Sequence, residues 1–381
     1  MKKAKALISL LLVAGLILAF PVQKAQAVLD DVNAKAAVLL EAETGAILYE
    51  KNAHERRACG SVTKVMSLLL IMEALDSGQI TLQDPVTTSE FANSMGGSEI
   101  WLEVGEVMTV DELLKAVAIQ SANDATVALA EHVAGSEAAF LEMMNNKAAE
   151  LGMQDSHFLN TTGFDEEGQY TSAYDIALMA RELIKHETIF QYCTIWMADL
   201  RGGKTQLANT NKLLKTYQGI TGLKTGTTDD AGNCFCGTAQ RGDLKLVSVV
   251  LGCETSKDRF DSTATLLDYG FDNWAVVKPS IEEGTILPVP VINGLQKEVL
   301  GTVDLNQMIL VSKGSEGKVT YEVVMAENVE APVEKGQVLG TVKYKLGDEV
   351  LGSYPIKANE GVDAISFGAA FQIMFRGLLA P

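Results

Sequence analysis

Residues 59–78, "CGSVTKVMSLLLIMEALDSG", decide how the first half of the chain folds. Ser61 and Lys64 lie three residues apart at the start of a run that is apolar on nearly every side and stops at Gly78. Such a run predicts a helix over residues 61–77, and a helix without a polar face is buried. The sequence therefore places a serine and a lysine at the entry of a core helix.

The segments that flank this helix predict an α+β domain. Residues 36–52 have the alternation of a β-hairpin, with a turn at residues 43–45. Strand-like sequence returns after Lys224. Between them, helical spacing recurs over residues 110–119, 123–134, 136–151 and 172–186. This order predicts one antiparallel sheet whose edges come from both ends of the domain, residues 28–275, with helices covering it.

Two further segments follow this domain. Residues 276–361 consist of short alternating runs between Gly, Pro and charged residues, which predicts a small all-β, β-sandwich-like domain. Residues 362–381 return to helical spacing and predict an amphipathic helix. Its apolar stripe consists of Phe367, Phe371, Met374, Phe375 and Leu378. Gln372 and Arg376 face away from this stripe. Because the helix contains both of them, it suits the headgroup region of a membrane better than a spanning position; the alternative is docking on its own domain.

The first residues have the organisation of a secretory signal peptide. Three lysines near the start precede an apolar segment from Ala6 to Phe20, and the small-residue pattern Ala25-Gln26-Ala27 follows. This pattern predicts cleavage after Ala27, which removes residues 1–27; an uncleaved membrane anchor is the alternative. In both cases the rest of the chain is expected outside the cytoplasm.

Composition and charge narrow the classes of function. A chain of 381 residues that is 47% hydrophobic and 21% charged can bury a large core, which excludes an intrinsically disordered protein. Loss of the four lysines in residues 1–27 takes the formal net charge from −18 to −22. Because neutralising phosphates requires clustered cations, nucleic acid is not an expected partner.

The cysteines are too few and too scattered for a disulfide scaffold. They are Cys59, Cys193, Cys234, Cys236 and Cys253. Two of them, Cys234 and Cys236, would share one face of a strand, but none of the four histidines lies nearby in sequence. We therefore expect buried thiols rather than a zinc site, and no metal or organic cofactor is indicated.

Ser61 and Lys64 have the chemistry of a nucleophile and its base. A helix N-terminus offers unpaired backbone N–H groups that stabilise a developing oxyanion, and Lys64 lies on the same helical face as Ser61. A lysine near its reference pKa of about 10.4 is protonated at neutral pH and cannot accept a proton. Burial and a second cation would both lower that pKa, so the pair predicts another lysine in the site.

Two further motifs supply that lysine and its polar partners. Lys224-Thr225-Gly226 follows a turn and is expected to open a strand. Ser121 and Asn123 lie at the start of a predicted helix, where a hydroxyl and an amide can point into a cleft. Each motif is weak alone, since Ser-x-x-Lys recurs at residues 315–318 without an apolar helix after it. All three motifs, in this order and on these elements, form a specific pattern.

With these motifs, the chain resembles the serine penicillin-recognising enzymes. It is most similar to the low-molecular-mass penicillin-binding proteins that act as D-alanyl-D-alanine carboxypeptidases, which are S11-type serine peptidases. The resemblance covers nearly the whole precursor and includes "GSEIWLEVGE" (97–106), "FLNTTGFDEEGQYTSAYDIALMA" (158–180), "NTNKLL" (209–214) and "GLKTGTTDDAGNCF" (222–235). It implies a DD-peptidase/β-lactamase-like domain followed by the β domain and the terminal helix.

The resemblance implies a catalytic role for four residues. Ser61 is acylated by the penultimate D-alanine carbonyl of a peptidoglycan stem peptide, the terminal D-alanine leaves, and water then frees the enzyme. Lys64 is the proton acceptor. Ser121 relays the proton to the leaving amine, and Asn123 holds Lys64 and the substrate amide. Penicillins and other β-lactams are expected to acylate the same serine.

The resemblance also implies the groups that bind substrate. Lys224, Thr225 and Gly226 flank the cleft and face the terminal carboxylate of the substrate. The backbone N–H groups of Ser61 and Thr227 form the oxyanion hole. Arg259 matches an arginine that the family directs at the carboxylate, and a guanidinium suits a carboxylate physically; the alternative is a surface loop charge.

At the helix entry the chain departs from the family, which commonly has Pro-Ala where this chain has Cys59-Gly60. Glycine adds backbone freedom at a point where a tight helix entry is wanted. The Cys59 thiol, two residues from the nucleophile, is expected to be a bystander.

Three other functions are weighed against this one. A β-lactamase would share the fold and motif order, but the central motif here is Ser-Ala-Asn, no convincing class A deacylation loop is found, and the C-terminal segments are extra. A Ser-His-Asp hydrolase lacks support, because no Gly-x-Ser-x-Gly occurs and no histidine has a triad setting. A catalytically silent wall-binding homologue conflicts with the intact motifs.

Overall fold

The computed structural model describes residues 31–369, together with Leu29 and Phe371. The expected signal peptide, residues 1–27, lies outside the described residues, as do residues 370 and 372–381 of the expected terminal helix. The helix prediction is wrong for residues 362–366, because Val362 and Ala364 form β-bridges with Val333 and Gly294, and the described helical residues begin at Phe367. Among the residues that are described, no helix is long and apolar enough to cross a bilayer.

The helices of the described residues cluster in the first three quarters of the chain. The α-helices are α1 (Lys64–Asp76), α2 (Glu90–Asn93), α3 (Val110–Lys115), α4 (Asn123–Ala134), α5 (Glu137–Glu150), α6 (Ala173–Leu183), α7 (Phe190–Cys193) and α8 (Ser256–Asn273). Turns of 3₁₀ helix occupy Gly60–Thr63, Glu187–Ile189, Arg201–Gly203, Lys212–Lys215 and Glu316–Lys318, and a π-helical turn occupies Ala116–Gln120.

The strands fall into two groups along the chain. Those up to the end of α8 are β1 (Ala36–Glu41), β2 (Ile47–Lys51), β3 (Pro85–Thr87), β4 (Val107–Thr109), β5 (Met197–Leu200), β6 (Thr205–Ala208), β7 (Ile220–Thr228), β8 (Gly232–Arg241) and β9 (Leu244–Cys253). Those after it are β10 (Trp274–Val277), β11 (Val289–Ile292), β12 (Glu298–Val299), β13 (Gly301–Val303), β14 (Ile309–Ser312), β15 (Val319–Met325), β16 (Val329–Glu330), β17 (Val338–Leu346) and β18 (Glu349–Ala358).

In the described part of the chain, the main sheet has five strands in the order β2-β1-β9-β8-β7. Every neighbouring pair is antiparallel. Strand β1 pairs with β9 over Ala36–Glu41 and Leu246–Leu251, so the first hairpin of the domain joins its last strands. The prediction of one antiparallel sheet built from both ends of the domain is confirmed.

The predicted helices are confirmed, with one informative difference. The helices predicted over residues 123–134, 136–151 and 172–186 correspond to α4, α5 and α6. The segment predicted as one helix over 110–119 is α3 followed by the π-helical turn, and it stops at Ser121. The φ angle of Ser121 is +68°, a left-handed conformation that cannot continue a right-handed helix. The end of the helix is thus predicted to within one residue, whereas its last turn is π-helical instead of α-helical.

Helix α1 is the buried core helix that the opening stretch predicts. Side chains on all its faces are buried, including Val65, Met66, Leu69 and Met72. Each such apolar side chain stabilises the fold by roughly 1.5–3 kcal/mol relative to an exposed one. The predicted first turn differs, because residues 60–63 form a 3₁₀ turn and the α-helix begins at Lys64.

Strand β7 and the loop at residue 163 lie directly against this 3₁₀ turn. A Cβ atom on Gly226 would come within 2.2 Å of the Cys59 carbonyl oxygen and 3.0 Å of the Ser61 nitrogen. A Cβ atom on Gly163 would come within 2.0 Å of the Gly60 carbonyl oxygen. Such distances are far below van der Waals contact, so both positions require glycine. The turn is therefore held between two backbones.

The C-terminal region is all β, as predicted. Within the described residues it contains a sheet in the order β13-β18-β17-β15, a second in the order β12-β11-β16, and the pair β10-β14. Small apolar clusters lie between these elements, one including Val289 and Leu339 and another including Ile309 and Val342. The predicted boundary at residue 275 falls inside β10, which pairs with β14 of this region.

The close packing at residue 163 generates a prediction for Gly163→Ala, with Gly168→Ala as its matched control. Both glycines have similar left-handed φ angles, +91° and +95°, so both variants carry similar backbone strain. Only the first meets backbone; a Cβ at Gly168 would touch nothing closer than 3.5 Å. We expect Gly163→Ala to lose about 1–3 kcal/mol more unfolding free energy than Gly168→Ala, measured by urea denaturation. Equal losses would contradict the packing described here.

Candidate active site

The Lys64 amine lies next to the Ser61 hydroxyl at the start of α1. Its Nζ is 2.9 Å from the Ser61 Oγ. Because Ser61 is in the 3₁₀ turn and Lys64 is the first residue of α1, the spacing of three residues brings both side chains to one side of the helix entry. The Lys64 side chain is fully buried.

Two carbonyl oxygens complete the surroundings of the Lys64 amine. Nζ donates to the Asn123 Oδ1 at 2.6 Å and to the Thr162 backbone carbonyl at 2.7 Å. The Asn123 amide has a defined orientation, since its Nδ2 donates to the Gly96 carbonyl at 2.6 Å. The Asn123 Oδ1 and the Thr162 carbonyl oxygen can therefore only accept hydrogen bonds from Lys64.

Burial and a second cation act on the proton affinity of Lys64. Burial, and after it the positive charge of Lys224, hold the pKa of Lys64 well below its usual value of 10.5. Burial and, to a smaller extent, the positive charge of Arg259 together lower the pKa of Lys224 to about 7. The site thus contains two buried amines whose charge is disfavoured, together with one guanidinium.

Asn123, the first residue of α4, reaches the Lys64 amine, and Ser121 lies two residues before it. The left-handed backbone of Ser121 ends one helix two residues before the next begins. The Ser121 hydroxyl is buried and has no hydrogen-bond partner among the described residues. A buried hydroxyl without a partner is costly, which is characteristic of a group that a substrate satisfies.

Lys224, Thr225 and Gly226 lie in the middle of β7 instead of opening it, which corrects the sequence prediction. The strand begins at Ile220, and Gly222 lies at a register shift against β8. The sequence predicts a turn before Lys224, but in the structure the glycine there marks an irregularity within the strand. Lys224 is buried and its Nζ donates to the Thr225 carbonyl at 2.9 Å, and the Thr225 hydroxyl donates to that of Thr210 at 2.8 Å.

Arg259, on the first turns of α8, packs against the end of this motif. Its Nη1 donates to the Gly226 carbonyl at 3.0 Å and to the Thr227 Oγ1 at 2.8 Å, and its Nη2 donates to the Ser256 Oγ at 3.2 Å. It is 8% exposed, which excludes the alternative of a surface loop charge. Its positive charge is therefore fixed beside β7.

The sequence does not predict a role for three further parts of the site. The Thr162 carbonyl contacts Lys64, Gly163 supports the 3₁₀ turn, and Asp124 accepts hydrogen bonds from backbone N–H groups of the segment at residues 100–102. A backbone carbonyl has no residue type, so no motif could identify it. For Asp124, the sequence feature that points to a role in the site is its position next to Asn123.

The remaining nucleophilic and titratable candidates lie apart from this chemistry. All five cysteines fall in the described part of the chain, where each is buried and none forms a disulfide. Burial raises the pKa of the Cys59 thiol to about 12, and its Sγ lies 3.3 Å from the Thr63 Oγ1, so it is a protonated, packed thiol. The four histidines contact groups outside this site. His54 lies next to Asp155, His132 next to Asp84 and His186 next to Asp76, and the His157 ring contacts the Gly168 carbonyl.

Two protein-family models match this chain, one over its first folded region and one over its C-terminal β region. A family model described as D-alanyl-D-alanine carboxypeptidase matches residues 22–255, and one described as penicillin-binding protein 5, C-terminal domain, matches residues 278–364. The chain is 45% identical to the D-alanyl-D-alanine carboxypeptidase DacF of Bacillus subtilis over 339 residues, covering 88% of this chain and 87% of DacF. It is 33% identical to DacC of Escherichia coli, covering 88% and 86%.

Solved structures give the same result. Penicillin-binding protein 5 from Haemophilus influenzae superposes with a TM-score of 0.78 at 30% identity, covering 87% of this chain and 98% of that one. Penicillin-binding protein D2 from Listeria monocytogenes, in an ampicillin-bound form, superposes with a TM-score of 0.58 at 32% identity, covering 63% and 98%. The similarity thus includes the catalytic region and, in the first case, the C-terminal β region.

Proposed function

Because the chain belongs to the D-alanyl-D-alanine carboxypeptidase family and is a serine-type D-alanyl-D-alanine carboxypeptidase, we propose that Ser61 is its nucleophile and Lys64 its general base. The observation that carries this proposal is the 2.9 Å separation of the Lys64 Nζ and the Ser61 Oγ in a buried site. The substrate is a peptidoglycan stem peptide that ends in D-Ala-D-Ala.

The hydrogen-bond partners of Lys64 support its role as base. A neutral amine has two N–H groups and one lone pair. The Asn123 Oδ1 and the Thr162 carbonyl can only accept, so they take the two N–H groups. The lone pair then faces the Ser61 hydroxyl, which donates to it. Burial and Lys224 keep the amine neutral by lowering its pKa.

Acylation follows from this geometry. The Ser61 Oγ attacks the carbonyl of the penultimate D-alanine while its proton passes to the Lys64 Nζ. The backbone N–H groups of Ser61 and Thr227 stabilise the oxyanion, the C–N bond breaks, and the terminal D-alanine leaves after its amine receives a proton through the Ser121 hydroxyl. That hydroxyl has no hydrogen-bond partner in the part of the chain that the structure describes, which supports the relay. Water then attacks the acyl-enzyme and restores Ser61.

The terminal carboxylate of the substrate binds along β7. Lys224 and Arg259 give this edge of the cleft a positive potential, and the Thr225 hydroxyl, which donates to the Thr210 hydroxyl in the free protein, turns to donate to the carboxylate when substrate binds. Arg259 also fixes Thr227, whose N–H belongs to the oxyanion hole, through the Nη1–Oγ1 hydrogen bond. Gly226 lets the strand approach the nucleophile closely. A β-lactam, which presents a carbonyl and a carboxylate in a similar arrangement, acylates Ser61 in the same way.

The nucleophile assignment is tested with Ser61→Ala. We expect loss of D-alanine release from a stem pentapeptide and loss of covalent labelling by a fluorescent penicillin, because no hydroxyl remains to be acylated. Amino-acid analysis of the released product and gel fluorescence measure these two effects. The matched control is Ser315→Ala, which removes the serine of the second Ser-x-x-Lys and should retain both activities. If Ser61→Ala released D-alanine normally, the nucleophile would be another residue.

The lifetime of the penicilloyl adduct in the unaltered protein separates this function from that of a β-lactamase. Intact-protein mass spectrometry should detect the adduct on Ser61 for minutes or longer. Turnover within a second would indicate a β-lactamase of the same fold.

The role of Lys64 is tested with Lys64→Arg, which keeps a positive charge but cannot supply a neutral nitrogen. We expect the acylation rate to fall by roughly a hundred- to ten-thousand-fold. In the unaltered protein the rate should fall as the pH drops through the lowered pKa of Lys64, since protonation removes the lone pair; the variant should lack this dependence. Stopped-flow penicillin acylation measures both, with Lys318→Arg as the control. Near-normal acylation by Lys64→Arg would exclude the lysine as base.

We also infer that the enzyme acts outside the cytoplasm, on the cell wall, at the membrane surface. Residues 1–27 serve as a cleaved signal peptide, and the C-terminal helix, whose described residues begin at Phe367, lies in the headgroup region. The exposure of Phe367 and Phe371, 90% and 57%, supports this placement, because large aromatic side chains favour the interface between lipid and water.

The membrane proposal is tested with a mature chain that ends at residue 366, because Val362 and Ala364 pair with the β region and a shorter chain would lose those contacts. We expect the full mature chain to sediment with phosphatidylglycerol-containing vesicles and the shortened chain to remain in solution with its D-alanine release retained. Phe367→Ser in the full chain should weaken sedimentation, since it removes an apolar contact. Equal sedimentation of the full and shortened chains would contradict attachment through this segment.

A further inference from the structure

Residues 96–102 wrap around Asn123. The Asn123 Nδ2 donates to the Gly96 carbonyl, and its backbone N–H donates to the Ser98 carbonyl, both at 2.6 Å. The Ser98 hydroxyl donates to the Gln120 carbonyl at 2.7 Å, which ties the same segment to the turn before Ser121. This segment is therefore a wall of the active site.

Asp124 fixes the end of this wall and turns one side chain outward. Its buried carboxylate accepts from the backbone N–H of Ile100 at 3.1 Å and of Leu102 at 3.0 Å. The Ile100 and Leu102 side chains are fully buried, whereas that of Trp101 between them is 72% exposed. An indole is among the largest apolar groups a protein has, and it is held here in solvent.

The backbone of Trp101 is strained and braced from a second element. Its φ angle is +54°, a conformation that is rare for a bulky residue. Arg201, at the tip of the β5–β6 hairpin, donates to the Ile100 carbonyl at 2.8 Å and forms an ion pair with Glu106 at 2.6 Å. Arg201 itself has a φ angle of +53°. Trp101 and Arg201 are thus two strained residues in contact, and their hydrogen-bond partners fix the backbone conformation. Backbone strain that is maintained in this way is typical of functional sites.

Trp101 lies within reach of a substrate bound at Ser61. It follows Ser98 by three residues, and a chain spans at most about 3.6 Å per residue, so the two Cα atoms are at most about 11 Å apart. Ser98 is in turn hydrogen-bonded to Asn123, which contacts Lys64. This upper bound starts at Ser98, beside Asn123, so it places Trp101 a few residues' length of extended peptide from the site and not at the reacting atoms. The reach fits the stem peptide just before the D-alanine pair better than the more distant glycan.

We propose that Trp101 is a substrate-binding residue whose indole packs against the aliphatic part of the third stem-peptide residue, on the acyl side of the scissile bond. This inference rests on the proposed function, since it places the D-alanine pair at Ser61. The Asp124 and Arg201 contacts hold the backbone that carries the indole before substrate arrives, which reduces the backbone entropy lost on binding. Exposed Val104 and Val107, 55% and 56% exposed, extend the apolar surface in the same segment.

The test compares Trp101→Ala with Trp101→Phe on three substrates. These are acetyl-D-Ala-D-Ala, the free stem pentapeptide and the disaccharide pentapeptide, with D-alanine release as the readout. We expect Trp101→Ala to raise the KM for both pentapeptides roughly tenfold, with kcat changed less than about twofold, and to raise the KM for acetyl-D-Ala-D-Ala less than about twofold. Trp101→Phe should recover most of the loss, because an aromatic ring remains. Phe367→Ala, which removes another exposed aromatic, should leave all three unaffected.

Each other result overturns the proposal. An equal loss on all three substrates would mean that Trp101 acts only by supporting Asn123, and no loss on any would mean that the indole does not contact substrate. A loss confined to the disaccharide substrate would assign the indole to a sugar. A failure of Ser61 as nucleophile would instead appear in Ser61→Ala, whatever residue 101 is. In the Ser61→Ala background, pentapeptide should change the tryptophan emission, and Trp101→Phe should abolish that change.

Discussion

The burial of the Lys64 amine between the Ser61 hydroxyl and two carbonyl oxygens is the constraint on which the rest of the site depends. An amine in water at neutral pH holds its proton, and only removal of water and a neighbouring cation make it a base. The apolar helix α1 supplies the dry surroundings, and Lys224 on the facing strand supplies the cation. Core packing and catalysis are therefore not separable here.

The same constraint explains why backbones crowd Ser61, the proposed nucleophile. If β7 and the loop at residue 163 lay further from the 3₁₀ turn, water would reach Lys64 from both sides. Glycine at positions 226 and 163 allows an approach that no side chain permits. The carbonyl of Thr162, next to that second glycine, is one of the two acceptors of Lys64. Tight packing thus also delivers a hydrogen-bond partner.

The segment around Trp101 shows how the site extends beyond the reacting atoms. Asn123 serves Lys64 with its side-chain oxygen, while its nitrogens hold the wall at Gly96 and Ser98. The adjacent Asp124 fixes the continuation of that wall. Asn123 and Asp124 therefore connect Lys64, the proposed base, to the surface around Trp101 that would contact the rest of the substrate. Strain at Trp101 is tolerated because these contacts leave the backbone no alternative.

The sequence alone determined the apolar helix with serine and lysine at its entry, the helices α4 to α6, the antiparallel sheet and the expectation of a second lysine, since these follow from periodicity and side-chain chemistry that each residue carries with it. Tertiary structure decided the 3₁₀ entry, the left-handed Ser121, the position of Lys224 within β7 and the part played by Thr162. Those features arise from backbone carbonyls and close approaches between distant segments. A carbonyl is the same in every residue, so only the folded chain shows which one faces Lys64.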